Sequence, residues 1–159
     1  MVYSIFDDKF LGKILKRKLR RNVVKASYDL EWLSFERKVS FAYDMLTSMS
    51  YTKGRLIILF WEKAELMTQL LESCCCEEWK ILRNYIKGRV TPGIIELPLS
   101  GKTNKEILYS LITKQFGFEQ GKKDSFSLQL CVALEGEVYL KILYLYDDRG
   151  FYLYEVRRS

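Results

Sequence analysis

FSLQLCVALEGEVYLKILYLYDDRGFYLYEV, residues 126–156, is the stretch that decides the fold class. Residues 126–134 and 137–146 read as strands joined by Glu135-Gly136, a dipeptide suited to a tight connection. Residues 151–156 read as a third strand, entered through the tip Asp147-Asp148-Arg149-Gly150. Strand-like runs separated by short turn signals predict three successive antiparallel strands, a meander.

Working back from this meander, the pattern turns mostly helical. In residues 6–24 the apolar Phe6, Phe10, Leu11, Ile14, Leu15, Leu19 and Val23 recur at steps of three and four, one face of a helix. A second helix is predicted over residues 28–48, with Leu30, Leu33, Phe41, Met45 and Leu46 turned inward and Trp32 or Phe35 at its flank. After the turn residues Ser50-Tyr51-Thr52-Lys53-Gly54, the continuous run Arg55-Leu56-Ile57-Ile58-Leu59-Phe60-Trp61 predicts a strand covered on both faces. Helical signal resumes over residues 63–73 and again over 77–87, where Trp79, Ile81, Leu82 and Ile86 would pack and Gly88 would end the helix. Pro92 and Pro98 bracket a short extended segment suited to a sheet edge. Thr103 or Asn104 opens a last helix that runs through Phe116 and closes at Gly117. The order predicts a single α+β domain over residues 1–159: N-terminal helices with a mainly antiparallel sheet completed by the C-terminal meander.

Charge is unevenly placed. The chain carries a net +6, and residues 1–25 alone account for all of it, so the remainder is neutral. Lys13, Lys16, Arg17, Arg20 and Arg21 form a basic stripe able to meet nucleic acid, anionic lipid or an acidic protein surface. The helix dipole gives the same order a local explanation, since Asp7 and Asp8 stand near the start and the cations toward the end.

Several chemistries lack their residues. There is no His, and the adjacent Cys74, Cys75 and Cys76 project about 100° apart on a helix, so a tetrahedral metal site has no ligand set. Together with Cys131 they read as reduced thiols, and no secretory signal precedes them, which predicts a cytoplasmic protein. No apolar run reaches the ~20 residues of a membrane span. Ser100-Gly101-Lys102-Thr103 resembles the end of a phosphate-binding loop, but the first glycine that motif needs is replaced by Glu96. No cofactor is expected.

The tip itself admits three readings. Asp147 and Asp148 could bind Mg²⁺ with Arg149 beside a phosphate, as in a metal-dependent nuclease, but neighbouring strand residues point to opposite faces. Alternatively an Asp side chain caps the turn, Arg149 pairs locally and Gly150 takes a positive φ. As a third reading, the hairpin is an interface.

From Asn104 onward, a helix ending in Gln115-Phe116-Gly117, two strands and Tyr146-Asp147-Asp148-Arg149-Gly150 resemble an uncharacterised bacterial domain family with that hairpin near its C-terminus. Residues 36–61 carry the likeness more faintly. The Phe151-Tyr152-Leu153-Tyr154 segment is more aromatic than the family's, and the basic N-terminal segment has no counterpart in it. The resemblance implies an immunity-like protein of toxin and immunity loci, not an enzyme, whose partner is a cognate protein toxin. Candidate contact residues are Lys13, Lys16, Arg17, Arg20, Arg21, Tyr146, Asp147, Asp148, Arg149, Tyr152 and Tyr154. Nucleic-acid binding through the basic helix is the alternative.

Overall fold

The computed structural model describes residues 23–74, 78–99 and 103–157. Seven strands form one antiparallel sheet: β1 (Val23–Asp29), β2 (Lys53–Phe60), β3 (Lys80–Arg83), β4 (Gly93–Leu99), β5 (Leu128–Glu135), β6 (Tyr139–Asp147) and β7 (Gly150–Arg157). Their spatial order is β1-β7-β6-β5-β2-β4-β3. Three helices are described, α1 (Phe35–Ser48), α2 (Ala64–Ser73) and α3 (Thr103–Glu119). The α+β class and the β5-β6-β7 meander are as the sequence predicts.

Strand periodicity sorts the sheet into two faces. Leu56, Ile58 and Phe60 of β2 lie with Ile95, Leu97, Leu130, Val132, Leu134, Leu143 and Leu145 on the first face. The helices bury Val39, Ala42, Leu46, Met67, Leu71, Ile107, Leu111, Ile112 and Phe116 against it. Ile57 and Leu59 turn the other way, into a second buried cluster with Cys131, Ala133, Ile142, Tyr144 and Tyr154. The apolar run of β2 is thus buried on both faces, and its central position between β4 and β5 explains why it lacks polar alternation.

Four predicted elements differ. Residues 23–29 are a strand, not helix: Val23 and Val24 open β1, which pairs with β7 from Val23 opposite Val156 to Asp29 opposite Gly150. The rest of the predicted basic helix, with Lys13, Lys16, Arg17, Arg20 and Arg21, lies outside the described residues. Helix α1 accordingly begins at Phe35 instead of residue 28. Its buried residues are Lys38, Val39, Ala42 and Leu46, while Phe41 lies toward solvent. Over residues 80–83 the predicted helix is the edge strand β3, and Leu82 and Ile86 are exposed. Strand β4 is interior where β3 covers it, but pairing with β3 stops at Glu96; beyond it β4 is itself an edge, where Pro98 is tolerated.

Gly117 does not close α3. A Cβ there would stand 2.4 Å from Ser125 Oγ, so this glycine lets the following loop pack against the helix. The stop is Gly121 at φ 69°: its N–H donates to Phe118 O at 3.1 Å and Lys122 N–H to Gly117 O at 2.8 Å, the paired bonds of a Schellman motif.

Candidate partner-binding site

The Asp147-Asp148-Arg149-Gly150 turn is built on a break in strand pairing. Between β6 and β7 the register shifts between Leu145 and Asp147. Side chains meet the carbonyls there: Gln115 Nε2 donates to Leu145 O at 2.6 Å and Gln129 Nε2 to Tyr146 O at 3.2 Å. Gln115 is buried and its Oε1 has no partner, so the carbonyl at the break is satisfied at the expense of one amide oxygen.

Each carboxylate at the tip is already engaged. Asp147 Oδ1 accepts the Arg149 backbone N–H at 2.7 Å, and Oδ2 accepts Arg149 Nε and Nη2 at 2.9 and 2.7 Å. This is the local capping predicted from sequence, and these bonds raise the already high pKa of the Arg149 guanidinium. Asp148 Oδ2 accepts Lys38 Nζ of α1 and Gln120 Nε2 beyond α3, both at 3.2 Å. Lys38 is only 7% exposed, so this pair fixes the turn to the helical layer. The two carboxylates serve different cations, and among the described residues no three His, Cys, Asp or Glu side chains group as metal ligands.

Gly150 is required for a reason other than the one predicted. Its φ is not positive. A Cβ at this position would lie 2.2 Å from Tyr28 O and 2.9 Å from Tyr146 Oη, so the glycine admits the close approach of β1 and the Tyr146 hydroxyl.

The loop between β1 and α1 is pinned to this turn. Leu30 N–H donates to Arg149 O at 2.8 Å, and Asp29 Oδ1 accepts Glu31 N–H at 2.9 Å. Leu30 is thereby buried while Trp32, two residues on, stays 88% exposed. Between loop and turn lies an open groove of about 400 Å³ lined by Ser27, Tyr28, Asp29, Glu31, Tyr146, Arg149 and Tyr152. The Tyr146 and Tyr152 rings stack there with centroids 4.9 Å apart. Partial burial raises the Tyr146 pKa, and the neighbouring Tyr152 and Asp147 raise it further. Glu119, at the exposed end of α3, is also raised, first by desolvation and then by Asp147 and Asp148.

Of the predicted contact residues, the structure therefore brings Tyr146, Arg149 and Tyr152 to one groove. Asp147 and Asp148 are largely buried in ion pairs. Tyr154 is not a surface residue: it is 2% exposed, because it sits opposite Ile142 in the second-face cluster. From sequence, Ser27, Asp29, Glu31 and Trp32 receive no partner-binding role, and the last three fall within the predicted second helix. The alternation of Val24, Ala26 and Tyr28 with Lys25, Ser27 and Asp29 is the period-two signal that identifies Ser27 and Asp29 as strand and strand end; Glu31 and Trp32 lie in the loop beyond it.

Elsewhere, a cavity of about 550 Å³ lies beside Trp79, Pro98 and the Arg55–Glu96 ion pair. Cys131 is buried and its thiol is pushed up to about 12 by desolvation, leaving it unreactive in the folded chain. No described helix is long and apolar enough to cross a membrane. Compared with known protein families, curated protein sequences and solved structures, the chain matches none.

Proposed function

We propose that this chain is an immunity-type protein that binds a cognate bacterial toxin one-to-one and neutralises it by occluding the toxin's active or substrate-binding surface. The observation that carries the reading is Trp32, 88% exposed on a loop whose backbone is hydrogen-bonded to the terminal turn. Burying so large an apolar side chain is strongly favourable, and Trp is the residue type most often found at the energetic centre of an interface. Its support is rigid, because Leu30 is buried beside it and the turn is tied to α1 by Lys38. A backbone held in place beforehand leaves chiefly the side chain's own rotamers to be fixed on binding.

The ion pairs at the tip point the same way. Asp147 and Asp148 use their oxygens to hold Arg149, Lys38 and Gln120, which is the work of a scaffold. Co-expression with the product of the adjacent gene tests the reading. The chain should restore growth and co-purify with that product, and Trp32→Ala should weaken the complex by about 2 kcal/mol or more. The absence of both growth rescue and a complex would refute it.

Nucleic-acid binding stays the second reading because the whole net charge is gathered in residues 1–25. It requires salt-sensitive retardation of RNA or DNA that is abolished by reversing the charges of Arg17, Arg20 and Arg21.

A further inference from the structure

We infer that the groove at the terminal turn accepts an arginine side chain from a basic surface of the partner. The inference deepens the partner-binding reading above and rests on it.

The stacked phenols of Tyr146 and Tyr152 give the groove a flat aromatic wall. The face of such a ring is electron-rich and attracts cations, and a planar guanidinium can lie parallel to it. Asp29, at the end of β1, and Glu31, in the loop that follows, line the same groove with the hydrogen-bond acceptors that a guanidinium needs. Asp29 gives Oδ1 to the Glu31 backbone. Among the described residues that line the groove Arg149 is the one cation; Asp147 holds it through two side-chain hydrogen bonds, and the Glu31 carboxylate also acts on it.

The wider field has the same sign. Asp29, Glu31, Glu119, Asp147 and Asp148 surround the turn, against Lys38 and Arg149. Among the described residues named here, five carboxylates therefore stand against two cations, in a chain whose overall charge is +6. A local negative field in a positive protein selects a cationic partner by orientation, and repels phosphate. Lysine suits the site less well, since its ammonium is a compact point charge that cannot stack.

Fluorescence anisotropy of labelled hexa-arginine and hexa-lysine against the full chain at low salt tests the inference. Hexa-arginine should bind at least tenfold tighter than hexa-lysine. Glu31→Gln, on the exposed loop, and Tyr152→Ala should each weaken hexa-arginine at least fivefold without a change in circular dichroism. Equal affinity for both peptides, or indifference to Glu31→Gln, would overturn the site. So would a several-fold gain in hexa-arginine affinity when Lys13, Lys16, Arg17, Arg20 and Arg21 are changed to Gln, because the chain's own cations would then be the occupant. If these peptides fail while the toxin complex still forms, only the arginine groove is lost; if the complex fails while hexa-arginine binds, only the immunity reading is lost.

Discussion

The two faces of the sheet are built from the same strands but from different chemistry. On the first, Leu, Ile, Val and Phe meet three helices, and the buried strand residues carry no hydroxyl. On the second, Ile57, Leu59 and Ile142 sit among Tyr144 and Tyr154, with Tyr146 and Tyr152 at the margin. Tyrosine buries a ring yet demands a partner for its oxygen, as Tyr144 Oη finds in Gln129 Oε1 at 2.7 Å. A face closed by helices can do without hydroxyls, whereas a face that runs out to a polar turn and an open groove is lined by side chains with one apolar and one polar end.

That contrast is sharpest in stability. Leu130→Ala, at a fully buried first-face position, should cost about 3–4 kcal/mol in denaturant unfolding. A cost below about 1 kcal/mol would mean that the helical layer collapses onto the gap and is less closely packed than described. Next comes Gly150→Ala, whose Cβ meets the Tyr28 carbonyl and cannot be relieved by rotating a side chain. Its expected cost is about 2–3 kcal/mol, and amide exchange along β1 should rise with it. Retained β1 protection would separate the turn from the strand beside it.

On the second face, Tyr144→Phe keeps the ring and removes the hydroxyl from Gln129, for an expected loss of about 1 kcal/mol. The smallest effect belongs to Glu119. Because its folded pKa is raised, the folded state loses stability relative to the unfolded one as pH rises from the ordinary carboxylate range through that raised value. Glu119→Gln should therefore raise the melting temperature slightly at pH 7, and the difference should vanish below the ordinary carboxylate pKa. A difference that persisted in acid would show that charge crowding at the turn is not its cause.

The meander and the doubly covered strand β2 were legible because each is an uninterrupted run of residues with one local meaning. β1 was not, since helical spacing continues from Leu15 and Leu19 through Val23 and hides the change of period at Val24, Ala26 and Tyr28. β3 was lost for a related reason: Ile81, Leu82 and Ile86 sit at helical steps, but the pairing with β4 that makes a strand of residues 80–83 is not local. At the site, the Asp147–Arg149 pairing was readable from two neighbours in sequence. The Lys38–Asp148 pair joins residues 110 positions apart, and nothing in either segment announces the other. Gly150 illustrates the remaining gap: its identity signals a constraint, but whether that constraint is a positive φ or a crowded neighbour depends on a strand far away in the chain.

The pairing of β1 with β7 also orders the events of folding. Val23–Asp29 precedes Gly150–Arg157 by roughly 120–130 residues, the longest separation of any strand pair in the sheet. Contacts so distant in sequence form slowly. During synthesis β1 therefore leaves the ribosome before the strand it pairs with, and this pairing waits until residues 150–157 follow. Ser27 and Asp29, exposed along that strand, make it a poor template for another chain in the meantime.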